Sequence, residues 1–94
     1  MQIKYSRHIE NRLRLRKIHR DLPKIIYEES DERYFDKATG YNIAVMRVEL
    51  YSKAREVMLA YIIEGKNAKL LTLHPLKEGQ KEKRIKAGRW RELQ

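Results

Sequence analysis

The hydrophobic period of the chain changes near Arg33, which limits the fold to a helical part followed by a strand-forming part. Before this residue, apolar side chains recur at helical spacing, and after it they alternate with polar ones. Two helices are predicted, over residues 6–18 and 21–29, with Ser6 and Asp21 as N-caps. Strands are predicted at residues 34–36, 41–51, 55–64 and 68–74, and residues 1–5 suit a short entry strand.

Turn-forming residues separate these strands and indicate a meander. Gly40 suits the positive φ of a hairpin turn over residues 37–40, and Gly65 lies in a later turn. We therefore expect an α+β fold, with two N-terminal helices packed on one face of an antiparallel meander of three or four strands. The 94 residues make one domain, with a globular core over 1–76 and a basic C-terminal extension over 77–94. This extension is either a short helix at 79–86 or a flexible tail.

Positive charge is concentrated at the two ends of the chain, whose net charge is +9 at pH 7. Residues 4–20 hold seven Lys and Arg against one Glu, and residues 77–91 hold seven against two. This distribution is typical of proteins that bind a phosphate backbone or an acidic protein. The sequence has no signal peptide and no apolar run long enough to span a bilayer, so we expect a cytoplasmic protein without a membrane partner.

The first predicted helix carries a column of basic side chains. His8, Arg12 and Arg16 recur every four residues, and His19 extends the column within an arc of roughly 80°. Apolar residues flank the column on both sides, so it lies within the buried arc of the helix. The column is therefore predicted to point into a cleft for a polyanion or a reaction. The alternative is that the arginines snorkel and the histidines pack as half-buried core residues.

Histidine beside arginine suits the cleavage of an RNA phosphodiester. RNA carries its own nucleophile, the 2′-OH, so an enzyme needs a base, an acid and cations that stabilise the phosphorane. An imidazole can act as acid or base, and a guanidinium matches phosphate oxygens. We predict that His8 and His74 exchange protons and that Arg12 and Arg16 hold the phosphate. The alternatives are a core histidine at 8, a turn residue at 74, and ion pairs of the arginines with Asp36, Glu49 or Glu56.

Eight further side chains are candidates for holding the RNA. They are His19, Arg47, Tyr51, Arg55, Lys77, Arg84, Arg89 and Trp90. The cations suit the phosphate backbone, and the two aromatic rings suit stacking on bases. The alternatives are a solvated strand face with cross-strand pairs and a charged tail that confers only solubility.

The sequence offers no metal or cofactor site. The three histidines lack the close spacing of metal ligands, and the chain has no cysteine to supply a thiolate. No glycine-rich phosphate loop and no nucleophile-elbow motif is present. We therefore expect no metal and no cofactor.

Three motifs occur in a fixed order along the chain. They are His8, Arg12 and Arg16; Asp36 with Thr39-Gly40-Tyr41; and Leu71-Thr72-Leu73-His74-Pro75. Their order resembles the His-x3-Arg-x3-Arg family of small phage and plasmid domains, which is allied to BrnT-type toxins in the RelE/ParE-like superfamily. The resemblance covers about residues 5–77, although Tyr41 stands where these sequences tend to carry an arginine. It implies a compact α+β toxin fold, metal-independent RNA cleavage at or off the ribosome, and an acidic cognate antitoxin.

These observations together predict the toxin of a type II toxin–antitoxin system. Its activity would be that of a metal-independent endoribonuclease, an mRNA interferase that uses 2′-OH attack. The alternatives are a non-catalytic nucleic-acid-binding module and a protein-interaction module that meets gyrase or an acidic antitoxin. The sequence leaves the oligomeric state open, with a homodimer as one alternative.

Overall fold

A six-stranded mixed sheet with helices on both faces forms the structure, a computed structural model that describes residues 2–93. The elements are β1 (Ile3–Tyr5), α1 (Arg7–Leu15), α2 (Leu22–Glu29), β2 (Glu32–Asp36), β3 (Asn42–Leu50), β4 (Lys53–Glu64), β5 (Asn67–Pro75), α3 (Gln80–Lys86) and β6 (Trp90–Glu92). The strand order is β1-β5-β4-β3-β2-β6. β1 runs parallel to β5, and all the other neighbours are antiparallel.

The predicted architecture, an antiparallel meander of three or four strands with two helices, is therefore wrong. β1 and β6 join the two edges of the meander, and β1 makes the sheet mixed. β1 lies within the predicted entry strand over residues 1–5, whereas β6 was not predicted, because its three residues are too few to show alternation in the sequence. Each also pairs with a distant segment, because Ile3 lies opposite Ala68 and Trp90 lies opposite Asp36. In the predicted basic extension, the short-helix alternative is confirmed, because α3 occupies Gln80–Lys86.

α1 is defined by a cap at each end. The Ser6 hydroxyl accepts a hydrogen bond from the Ile9 N–H at 3.0 Å, as the N-cap prediction requires. α1 ends at Leu15, three residues before the predicted end, because Lys17 has a φ of 55°. The Ile18 N–H then donates to the Leu13 carbonyl at 2.9 Å, which completes a Schellman motif.

Alternation along the central strands produces two buried faces of the sheet. The first face packs on α1 and α2, and its cluster includes Ile9, Leu13, Ile26, Ala44, Val57, Leu59, Leu70 and Leu73. The second face holds a smaller cluster, which consists of Tyr34, Ile43, Val45, Met58, Ala60 and Trp90. Side chains that are neighbours in sequence thus point to opposite faces, as expected for strands.

α3 is attached to the second face by polar contacts. The Lys81 ammonium donates to Glu56 at 2.7 Å and to Glu32 at 3.0 Å, so it connects α3 to β4 and β2. Arg84 lies one turn later, and its guanidinium is 3.7 Å from the Met58 sulfur. α3 therefore covers the centre of this face and leaves the part near β5 open. Within residues 2–93, no helix has the length and apolar character needed to cross a membrane.

Candidate functional site

One half of β5 has an open edge. β1 pairs with β5 only over residues 68–70, so residues 71–75 have no strand on their outer side within the described chain. α1 begins beside this edge, because the Ser6 N–H donates to the Leu70 carbonyl and the Ser6 hydroxyl donates to the Leu71 carbonyl, both at 2.9 Å. A side chain from α1 can therefore pass the edge and reach the second face.

Arg12 makes this crossing and contacts His74. Its Nη2 atom lies 3.2 Å from Nδ1 of the imidazole, between residues that are 62 apart in sequence. The His74 side chain belongs to the second face, since His74 pairs with Met58 across the sheet. A guanidinium has donors and no acceptor, so Nδ1 must accept this hydrogen bond. In the neutral imidazole the proton then lies on Nε2.

The surroundings of His74 favour this neutral form. Partial burial lowers the pKa of His74, and the positive charge of Arg12 lowers it further. Arg84, His8 and Arg16 lower the same pKa through longer-range repulsion. His74 is thus a neutral hydrogen-bond donor near pH 7, rather than a free base.

His74 lines a hollow of about 230 Å³ on the open part of the second face. The lining residues are Asp36, Thr39, Tyr41, Ile43, Met58, Ala60, Thr72, His74, Arg84 and Arg89. The volume is below the roughly 300–1,000 Å³ of pockets that enclose drug-sized ligands. It suits a small group such as a phosphate, with the rest of a larger ligand outside.

Arg84 supplies the hollow with a cation that makes no ion pair with a carboxylate within 4.0 Å, although the charge of Asp36 acts on it from a longer distance. Its guanidinium lies 5.1 Å from the centre of the Trp90 ring. No acidic side chain of residues 2–93 is within 4.0 Å of it, and the same holds for Arg12 and Arg16. Burial lowers the pKa of Arg84, and so does the nearby charge of Arg89, but arginine stays protonated in proteins. An anion entering the hollow would therefore meet an unpaired positive charge.

Arg89 and Asp36 also line the hollow, and they form an ion pair. The Arg89 guanidinium donates to both carboxylate oxygens of Asp36, at 2.9 and 3.1 Å. Burial raises the pKa of Asp36, but hydrogen bonds from Arg89, from the Ala38 N–H and from Thr39 outweigh burial and lower it. Asp36 is therefore a structural anion that fixes the turn before β3, and it is not a base for chemistry in the hollow.

The comparisons found no match. No protein-family model, no curated protein and no solved structure matches this chain. No group of three His, Cys, Asp or Glu side chains within residues 2–93 is placed to hold a metal ion.

The four residues predicted to be catalytic lie near the same edge. His8 is exposed one turn before Arg12, and Arg16 is exposed at the C-terminal end of α1. His8, Arg12 and Arg16 line one shallow depression on α1, next to the open edge of β5. Only Arg12 makes a hydrogen bond with His74, whereas His8 and Arg16 act on it through charge alone.

His19 does not extend the basic column of α1. The helix ends at Leu15, so His19 lies in the connection to α2. Its Nδ1 atom accepts a hydrogen bond from the Asp21 N–H at 3.1 Å, and the residue is exposed. The predicted column therefore has three members.

Besides His19, four of the predicted RNA contacts lie away from the hollow. Arg47, Arg55 and Lys77 line a separate cleft of about 750 Å³, between the β3–β4 hairpin and the segment that leads into α3. Tyr51 is 52% exposed beside this hairpin, and its hydroxyl donates to the Arg16 carbonyl at 2.5 Å. The cleft is also lined by three glutamates, namely Glu56, Glu78 and Glu82, so its charge is mixed.

Trp90 is not available for stacking on a base. Only 1% of its surface is exposed, and its ring stacks on Tyr34 with the ring centres 5.5 Å apart. The hollow instead contains Tyr41, which is 38% exposed, and Thr72, two residues before His74. Both residues belong to the ordered sequence motifs, but neither was predicted to contact RNA. For Thr72 the alternation of β5 was a usable signal, because residues two apart share a face.

Proposed function

We propose that this chain is a metal-independent endoribonuclease that holds the scissile phosphate of mRNA in the hollow at His74. The contact between Arg12 and His74 at the open edge of β5 carries the proposal. Near this contact lie the Nε2–H group of His74 and the exposed His8. Arg84 and Arg16, which have no carboxylate within 4.0 Å, lie there too. Guanidinium and imidazole donors of this kind stabilise the extra charge of a phosphorane.

Each residue has a defined part in the proposed reaction. The 2′ oxygen attacks phosphorus while His8, the exposed imidazole on α1, takes its proton. The His74 Nε2–H and Arg84 donate to the non-bridging oxygens, and Arg16 holds the neighbouring phosphate. The bond to the 5′ oxygen breaks, and water returns a proton to that oxygen. The products are a 2′,3′-cyclic phosphate and a 5′-hydroxyl end.

The test is cleavage of a labelled mRNA in the presence of EDTA. Wild type should cleave, and His8→Ala should cleave about 10²- to 10⁴-fold more slowly, the usual contribution of proton transfer. Arg84→Gln should weaken binding as well as cleavage, because it removes a charge from the phosphate site. His19→Ala is the matched control, since this exposed histidine lies outside the hollow, and it should cleave like wild type.

A non-catalytic RNA-binding module is the second candidate. The Nδ1 atom of His74 already accepts a hydrogen bond from Arg12, and Nε2 carries the proton. His74 therefore has no free lone pair with which to act as a base, and the hollow offers only hydrogen-bond donors from this residue. Such a module would bind RNA with a steep salt dependence and release no products. Binding by wild type without cleavage, both on free RNA and on translating ribosomes, would favour this candidate.

The cellular context of the proposed ribonuclease is that of a toxin in the cytoplasm. The ordered motifs at His8, Asp36 and His74, which resemble the BrnT-allied members of the RelE/ParE-like superfamily, support this assignment. An acidic antitoxin would be attracted to the cations that lack carboxylate partners. Induced expression should stop growth and create new 5′ ends in mRNA, and His8→Ala should do neither. Growth arrest without new RNA ends would instead favour a protein target such as gyrase.

A further inference from the structure

We propose that Arg12 is a positioning residue that holds His74 in the tautomer with its proton on Nε2, so that His74 offers a hydrogen-bond donor to the hollow. The tautomer follows from the contact alone, while its use in binding a phosphate rests on the proposed function. Arg12 was predicted to be a phosphate ligand. The structure places one of its donors on an imidazole instead.

The position of Arg12 makes its effect on His74 specific. Arg12 is half-buried on α1, which packs on the first face, whereas His74 projects from the second face. The two side chains meet only because β1 leaves the edge of β5 open beyond Leu70. Among residues 2–93, no other hydrogen bond to an imidazole nitrogen of His74 is formed.

The fold does not depend on this contact. α1 is held by Ile9 and Leu13, which are 0% and 5% exposed in the first cluster. Its N-terminus is held by the hydrogen bonds of Ser6 to Leu70 and Leu71. Replacing Arg12 should therefore leave α1 in place, and the change should be visible in the tautomer and pKa of His74.

The positive charges around His74 favour its neutral form, as does the hydrogen bond from Arg12. An imidazolium would carry a proton on Nδ1 as well, and this proton would point at the Arg12 guanidinium. Arg84, His8 and Arg16 also face His74 with positive charge or the capacity to gain it. Protonation of His74 would thus break its hydrogen bond with Arg12 and place a positive imidazolium next to other positive charges. The neutral tautomer with its proton on Nε2 is therefore favoured.

The experiment measures the imidazole nitrogen resonances of His74 by NMR between pH 5 and 8.5. In wild type we expect Nε2 to carry the proton throughout the neutral range. Arg12→Glu should invert the tautomer, because a carboxylate accepts a hydrogen bond from Nδ1–H, and it should raise the pKa of His74. Arg12→Lys retains a hydrogen-bond donor at this position, so His74 should keep the wild-type tautomer in this variant. Arg14→Glu, which makes the same charge change on an exposed position of α1, should leave Nε2 protonated.

A second variant keeps the test decisive if Arg12→Glu does not fold. Arg12→Met removes the donor while retaining the aliphatic stem, and the pKa of His74 should then rise. Two results would overturn the proposal: a wild-type Nδ1–H tautomer, or a His74 whose tautomer and pKa are the same in wild type, Arg12→Glu and Arg12→Met.

RNA binding separates this inference from the proposed function. Arg12→Glu should bind RNA about tenfold more weakly than Arg14→Glu, because it also loses one charge-assisted hydrogen bond from the site. If wild type shows the Nε2–H tautomer but binds and cleaves no RNA, the positioning role of Arg12 stands and the proposed function fails. If RNA is bound and cleaved but Arg12→Glu and Arg14→Glu are equally impaired, the positioning role has no part in phosphate recognition.

Discussion

His74 shows how a single residue acquires its chemistry from segments that are distant in sequence. The backbone of β5 determines which face the imidazole occupies, and Arg12, 62 residues earlier, determines which nitrogen accepts. The cations around it then decide its charge. Asp36 and Arg89, which also line the hollow, neutralise one another, so His74 and Arg84 are the groups that attract an anion.

The lowered pKa of His74 predicts a loss of stability in mild acid. Its pKa lies below the ordinary value of 6.5, so as the pH falls through 6.5 the unfolded chain takes up a proton before the folded chain does. The free energy of unfolding should therefore decrease from pH 7.5 to 5.5. His74→Gln should reduce this decrease in urea titrations at the two pH values. His19→Gln should retain the wild-type decrease, and an unchanged decrease in His74→Gln would contradict the prediction.

The lowered pKa of Asp36 predicts a contribution to the free energy of unfolding that is lost at a lower pH than the contribution of His74. Asp36 stabilises the fold above its ordinary pKa of 3.8, and this contribution disappears as the pH falls through its lowered value in the folded chain. At pH 7, Asp36→Asn should reduce the free energy of unfolding by about 2 kcal/mol. This is less than the roughly 3–5 kcal/mol for a fully buried pair, because the Arg89 side chain is 39% exposed.

At the scale of secondary structure, α1 and α3 approach the hollow from opposite faces of the sheet. α1 buries Ile9 and Leu13 against the sheet, whereas α3 has no buried residue and contacts β4 and β2 through Lys81. The Lys81 side chain is 15% exposed, and its hydrogen bond to Glu56 raises its pKa. The position of Arg84, and so the charge of the hollow, depends on this short helix.

Removal of the Lys81 charge should loosen α3. In Lys81→Met the stem remains, but Glu56 and Glu32 lose their shared cation, and the free energy of unfolding should fall by about 1–2 kcal/mol. Amide hydrogen exchange in α3 should accelerate more than in α1. Lys83→Met, at an exposed position of the same helix, is the control. Equal exchange in the two variants would show that Lys81 does not hold the helix.

Ser6 should matter more than an ordinary N-cap. Its hydroxyl accepts from the Ile9 N–H and also donates to the Leu71 carbonyl, so it connects α1 to the edge of β5. Ser6→Ala should reduce the free energy of unfolding by about 1–2 kcal/mol, at or above the usual cost of a lost cap. Ser6→Asp keeps the acceptor for the Ile9 N–H but lacks the donor to Leu71. It should therefore recover only the part of the free energy of unfolding that comes from capping α1. A cost below about 0.5 kcal/mol in Ser6→Ala, measured by urea unfolding, would contradict this role.

At the scale of the whole molecule, the fold brings the two basic ends of the chain to one site. α1 carries the N-terminal cations to the open edge of β5, and α3 carries Arg84 to the other side of His74. The nearly balanced middle of the chain supplies the sheet between them. Electrostatic attraction of RNA should therefore be directed to this side of the molecule.

Salt dependence tests which cations would contact phosphates in the proposed complex with RNA. For single strands, each phosphate contact contributes about −0.7 to the slope of log K against log salt. Arg84→Gln should therefore reduce the magnitude of this slope by about 0.7. Lys66→Gln makes the same charge change in the β4–β5 turn, at the opposite end of β5 from His74, and should leave the slope unchanged. Equal slopes for wild type and Arg84→Gln would exclude a phosphate contact by Arg84.

The sequence alone determined the features that depend on neighbouring residues. The cap at Ser6, the end of α2 at Glu29 and the positive φ of Gly40 were all predicted, because each requires only local hydrogen bonds or local sterics. The four central strands were predicted within two residues at every end, because alternation of apolar and polar residues is a local signal. The basic column on α1 likewise identified Arg12 and His8 as neighbours.

Only the tertiary structure decided how these pieces meet. The parallel pairing of β1 with β5, the burial of Trp90 and the contact between Arg12 and His74 join segments that are more than 50 residues apart. No local period records such pairings, because a strand of three residues gains its hydrogen bonds from its partner and not from its own pattern. The hollow exists for the same reason: β1 stops at Tyr5, and the edge of β5 that it leaves open is where the two basic ends of the chain converge.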